Sequence, residues 1–165
     1  MNNGIRFGLT AAICGLFLGL AAPIAVPSTE AKTAVRQDGI VRVKSVYGFK
    51  ETIDKLKADI EAKGIKFFAA IDQTELGATA GIALQPSTLL VFGNPPLGIQ
   101  FLTANPDSGL DWPVRLLVHQ DGKGQVWAVY SDFRWIARRH HITNRGAQFK
   151  MASEVIASIT SIVTK

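Results

Sequence analysis

The sequence predicts an α+β fold in which helices pack on one face of a mainly antiparallel sheet. Three stretches carry this expectation. From Gly39, GIVRVKSVYG sets apolar Ile40, Val41, Val43 and Val46 against Arg42 and Lys44, close to the two-residue period of a half-buried strand. Next, FKETIDKLKADIEAKG brings Phe49, Ile53, Leu56 and Ile60 round at helical spacing with charges between them, and Gly64 stands where a helix stops. Later, WPVRLLVHQ and QVWAVYS flank DGKG, whose Asp-Gly pair supplies the positive backbone angles of a tight hairpin turn.

The remaining elements fall between these. IKFFAAID reads as a second strand and STLLVFG as a third, while Gln73 to Pro86 stays open between a surface loop and a weak extra element. Leu97, Phe101 and Leu102 predict a short helix that ends near Asn105-Pro106, because a residue before proline avoids helical angles. Asp132 is placed to cap a helix from Phe133 to His140. From Arg145 onward, Phe149, Met151, Val155, Ile159, Ile162 and Val163 outline an amphipathic helix too short to span a membrane. The expected order is β-α-β-β-α-β-β-α plus this C-terminal helix.

At 165 residues and 47% hydrophobic content the chain has material for one domain with a real core. We expect a signal peptide over residues 1–31, a linker over 32–38 and a single domain over 39–165. Arg6 is the only charge before an apolar run from Phe7 to Val26, and Thr29-Glu30-Ala31 puts small residues where signal cleavage needs them. The alternative is a retained membrane anchor; Pro23, Pro27 and the small residues after them favour cleavage and a periplasmic or extracellular destination. The one cysteine, Cys14, lies inside the leader, so the domain can hold no disulfide, thiolate metal site or cysteine nucleophile.

The net charge of +5 survives cleavage, since Arg6 and Glu30 leave together. Outside the cytoplasm that balance favours weak association with anionic surfaces rather than nucleic acid. No cofactor is implied.

Three groups of residues carry chemistry. The corner LVFGNPPLG runs a strand into Gly93, Asn94, Pro95, Pro96 and Gly98. A helix start normally offers free N–H groups to an anion, but prolines have none, and the corner lacks the lysine and hydroxyl of a phosphate loop. It reads as a rigid corner with Asn94 as cap, with the second possibility that it lines a small-ligand pocket. The loop NPDSGLDWP collects Asp107, Ser108, Asp111 and Trp112. Two carboxylates and an indole suit a sugar, a cation or acid–base chemistry; the plainer reading is that Asp107 makes a turn and Asp111 caps the chain's return to the sheet. Ser108 lacks the preceding glycine of a nucleophile elbow.

His119, His140 and His141 are the three imidazoles. Neighbouring helical positions point about 100° apart, so His140 and His141 are not expected to share a metal, and with Arg138 and Arg139 they are placed to offset the helix dipole. Trp112, Trp127, Tyr130, Phe133 and Trp135 gather in the second half beside Arg134, Arg138 and Arg139, a composition typical of interfaces.

In order and spacing, LVFGNPPLG, ANPDSGLDWPVRLLV, VWAVYSD and IARRH resemble the DUF302 domain of uncharacterised bacterial and archaeal proteins, over about Val43 to Ile142. The resemblance implies a small α+β domain that dimerises in at least some members. It implies no established activity, so no catalytic residue is carried over. The expected role is an exported binding or interaction module, forming a homodimer, whose small ligand or protein partner meets Gly93–Gly98, Asp107, Asp111, Trp112 and His140. The alternative is a hydrolase or other enzyme using Asp107 and Asp111 with His140.

Overall fold

A computed structural model describes residues 38–165; the expected leader and all but the last residue of the linker lie outside them. The elements are β1 (Ile40–Lys44), α1 (Phe49–Ala62), β2 (Lys66–Asp72), α2 (Gln73–Thr79), β3 (Ser87–Gly93), α3 (Pro95–Ala104), a 3-10 turn (Pro106–Leu110), β4 (Val114–Gln120), β5 (Val126–Ser131), α4 (Phe133–Arg139) and α5 (Gly146–Ser161). This is the expected α+β order with one short helix, α2, added. The strands form a single sheet in the order β1-β5-β4-β3-β2, antiparallel at every pairing.

Strand alternation decides which side becomes core. Val41, Val43, Leu90, Phe92, Leu116, Val118, Val126 and Ala128 are buried and meet Leu56 and Ile60 of α1, Phe101 of α3, Ile136 of α4 and Ile156 and Ile159 of α5. Phe101 stacks on Phe149 with ring centres 4.3 Å apart. On the opposite face, register aligns Ile71, Leu89, Leu117, Val129 and Arg42 in one row across all five strands. Ile71 in that row is exposed and the other four are half-buried.

Local chemistry explains most boundaries. Asp132 caps α4 by accepting from Trp135 N–H at 2.9 Å. Asp72 caps α2 by accepting from the N–H groups of Thr74 and Glu75. That helix escapes a periodicity search because Gly77 is its one buried residue and Leu76 is exposed, so it carries no apolar stripe. In α1 the buried face includes Thr52, whose hydroxyl bonds Ser45 Oγ at 2.7 Å, and not only aliphatic residues.

Three expectations change in detail. The hairpin turn draws its positive φ from Gly124 and not from Gly122, because the Asp121 carboxylate accepts the N–H groups of Lys123 and Gln125 and closes the loop over more residues. In α5, Phe149, Ala152, Ile156 and Ile159 form the buried line that Val163 continues, while Met151 and Ile162 are exposed. Finally, His140 turns inward to a carboxylate, described below, and does not serve only the end of its helix.

Candidate functional site

The corner after β3 is built by its own residues. Asn94 Oδ1 accepts Leu97 N–H at 3.3 Å, and the Asn94 carbonyl accepts Gly98 N–H at 2.8 Å. Pro95 and Pro96 fill the first two helical positions, where a missing N–H costs nothing. Of the first four helical residues, two have no N–H and two have theirs bonded to Asn94. No donors remain to cradle a phosphate, which leaves the corner rigid and neutral.

What the corner does hold is Trp112. Its indole lies against Gly98 so closely that a Cβ added there would sit 1.8 Å from Nε1, and one added at Gly93 would sit 3.2 Å away. Phe68 meets the same indole edge to face, with ring centres 6.3 Å apart. Phe68 falls where β2 slips register between Phe67 and Ala69, and such a bulge on an edge strand re-aims a side chain. The two segments singled out from the sequence, Gly93–Gly98 and the loop reaching Trp112, therefore touch.

Beneath them lies a cavity of about 220 Å³. Phe92, Leu97, Phe101 and Val114 form its inner wall, Ala152, Val155 and Ile156 of α5 close the other side, and Lys63, Asn94 and Met151 stand at the rim. The lining is overwhelmingly apolar and contains no carboxylate.

A second cluster centres on Asp111. Its carboxylate, 4% exposed, receives His140 Nε2 at 2.6 Å, Arg139 Nη1 at 3.1 and 3.3 Å, and Arg115 Nη2 at 3.1 Å. An ionised carboxylate only accepts, so His140 Nε2 carries the proton of that bond. Arg115 also reaches the Leu110 carbonyl, and Asn105 Nδ2 donates to the His140 carbonyl at 2.9 Å. Arg139 lies over the Trp135 ring, 5.4 Å from its centre. The cluster ties the loop before β4 to the end of α4 and so fixes the residue next to Trp112. Chemically it is an ion network in which both carboxylate oxygens are engaged, Oδ1 by Arg115 and Arg139 and Oδ2 by Arg139 and His140.

The chain matches the model of the domain of unknown function DUF302 over residues 41–165. It belongs to the DUF302 family. A solved DUF302 protein from Bacillus stearothermophilus, described as an uncharacterised conserved protein, superposes with a TM-score of 0.69 at 18% identity, over 76% of this chain and 98% of that one. At that identity the likeness concerns the fold. Among curated proteins, two described as fluoride-specific ion channel FluC 1, from Brucella suis and Brucella abortus, are each 30% identical over 158 residues. The match covers 96% of this chain but 61% and 57% of those proteins, so this DUF302 chain spans about three-fifths of their length. Among its described residues no helix is long and apolar enough to cross a membrane.

In this DUF302 domain the residues singled out beforehand separate into two places. Gly93, Asn94, Gly98 and Trp112 line the cavity, with Pro95 and Pro96 setting the turn. Asp111 and His140 form the ion network, while Asp107 is exposed and contributes its backbone N–H to Asn105 Oδ1. It is Asn105, not Asp107, that makes the turn. Ser108 is buried, with its hydroxyl free of any partner among the described residues. His119 stands 3.2 Å from an Arg42 nitrogen on the other face of the sheet. No group of three or more metal-ligating side chains converges among the described residues.

The aromatic residues find partners within the chain. Trp127 donates to Asp121 Oδ2 at 2.9 Å and carries Arg42 over its ring, and the Trp135 ring occupies the space a Gly39 side chain would need. Sequence reasoning missed Lys63 and Val155 at the cavity, Phe68 against the Trp112 indole, and Arg115 at the ion network. Neither Arg115 nor Phe68 carried a local signal: a four-residue spacing pairs side chains on a helix, whereas Arg115 lies on β4, and Phe68 is placed by a bulge.

Proposed function

We propose that this domain is a non-enzymatic binding module, exported from the cytoplasm, which takes up a compact apolar small molecule in the cavity under Trp112. The observation that carries this reading is the cavity's size and lining. An engineered, enclosed apolar cavity of about 150 Å³ stays dry and binds benzene; this one is larger and natural, open to solvent at the Lys63, Asn94 and Met151 rim and bounded by Trp112 packed on Gly98. Heating the protein with and without toluene tests it. At ten times the dissociation constant, binding adds about 1.4 kcal/mol of stability, or about 4 °C in a domain of this size. A Val155→Phe variant, which fills the space, should lose the shift; no shift in the parent protein sinks the proposal.

An enzymatic use of Asp111 and His140 has less support, because both side chains are almost closed to solvent and already bonded to each other. Export rests on the leader sequence, and mass spectrometry of the protein from its host decides it: a chain beginning at Met1 counts against cleavage.

A second reading, self-association, is favoured by the row Ile71–Leu89–Leu117–Val129 on the sheet face opposite the core. A homodimer through that face would cover it. Light scattering at micromolar concentration should return twice the chain mass, and Leu117→Lys should return one. The fluoride-channel relatives raise a further possibility, that this domain acts beside a channel. Fluoride sensitivity of a deletion strain tests that link.

A further inference from the structure

Three polar side chains line the cavity, Lys63, Asn94 and Trp112, and each carries a donor. Asn94 Oδ1 is taken by Leu97 N–H, which orients the amide and leaves Nδ2 as its free end at the rim. Trp112 Nε1 has no acceptor among the described residues and keeps some exposure to solvent, on a side chain that lines the cavity. Lys63 is the third donor, but both Asp59 oxygens hold its Nζ, at 2.6 and 2.7 Å, so it brings no uncompensated charge. On the backbone side, Pro95 and Pro96 have no N–H, and the Asn94 and Pro96 carbonyls are already occupied.

Such a lining discriminates. A purely apolar occupant would strip water from the half-buried Trp112 Nε1 and return no hydrogen bond, which is the costly case for a polar group, while Asn94 Nδ2 at the exposed rim keeps its water. An occupant whose head group only donates fares worse, since donor would face donor. An acceptor returns the hydrogen bond that the apolar occupant denies. Resting on the binding reading above, we infer that the cavity selects a compact apolar molecule of roughly eight or nine non-hydrogen atoms that carries one neutral hydrogen-bond acceptor, received by Trp112 Nε1 and Asn94 Nδ2. The neutralised Lys63 makes net negative charge unnecessary.

Three probes on one eight-carbon frame separate the possibilities: ethylbenzene with no polar group, acetophenone with a carbonyl, and 1-phenylethylamine with a cationic donor. Titrations of the labelled protein followed by the indole N–H signals give both affinity and contact, with the Trp112 signal assigned by its loss in Trp112→Phe. Acetophenone should bind about tenfold more tightly than ethylbenzene and move the Trp112 signal downfield, and the amine should bind most weakly. Trp112→Phe, which keeps a ring, and Asn94→Asp, which keeps the cap, should each reduce the acetophenone preference several-fold. Equal binding of ethylbenzene and acetophenone overturns the acceptor inference while leaving the cavity as a binding site. A tight acetophenone complex with an unmoved Trp112 signal overturns it too. If none of the three binds, the binding reading itself falls.

Discussion

The indole of Trp112 rests on Gly98, in the middle of the first turns of α3, with no room for even a methyl group between them. That contact joins the proline corner to the loop before β4, and the ion network around Asp111 holds the loop from its other side. The cavity is the space these two constraints leave against α5.

Gly98→Ala separates packing from propensity. Helix propensity alone favours alanine by about 1 kcal/mol. Because the new Cβ would lie 1.8 Å from Trp112 Nε1, the substitution should instead destabilise by about 1–3 kcal/mol as the indole is displaced. Chemical denaturation checks the sign; a gain in stability would show that the indole moves aside freely.

Asp111→Asn should cost about 2–3 kcal/mol, since it leaves His140 and two guanidinium groups facing a neutral amide. This is less than for a fully enclosed pair because Arg115 and Arg139 remain half-exposed and can turn to water. The same measurement in a His140→Ala background should show a smaller loss. Additive losses would mean that the two side chains are not coupled.

Pro95→Ala with Pro96→Ala should lower stability by about 1 kcal/mol, acting through a more flexible unfolded chain. Asn94 still caps α3 in that variant, so the circular dichroism spectrum should not change. Loss of the fold would contradict a corner whose two remaining N–H groups are already bonded to Asn94.

Burial raises the Tyr130 phenol above its ordinary value of 10.0, with the nearby Asp132 charge acting in the same direction against a hydrogen bond with Thr160. The unfolded chain then ionises this group at a lower pH than the folded one. Its contribution to stability is therefore present below about pH 10 and declines above it. Since lysines titrate in the same range, the measure is the difference between the parent and Tyr130→Phe in denaturant unfolding from pH 8 to 11. The variant should lose less stability on the alkaline side; parallel curves would contradict a burial effect.

Much of this molecule follows from local patterns. Alternation marks the strands because one face of each meets the helices; Asn94 and Asp132 mark helix starts because their side-chain oxygens reach N–H groups only a few residues away. Two adjacent prolines announce the loss of two donors at the start of α3. The helix α2 was the exception among the elements, since a segment that buries one glycine has no periodic signal.

Long-range pairing was decided elsewhere. Nothing in the order of residues says that Asp111 meets His140, 29 positions on, or that Arg139 joins them while Asp107 stays in solvent. Those choices depend on how the β4–β5 hairpin returns α4 to the loop before β4. Likewise Phe68 reaches Trp112 at a one-residue bulge in β2, and the side-chain period of a strand inverts wherever a residue is inserted. Sequence determined the elements and the rigid corner, because their forces act within a few residues; only the packing of helices on the sheet decided the cavity and the ion network, because each joins side chains brought together by the sheet's order rather than by the chain's.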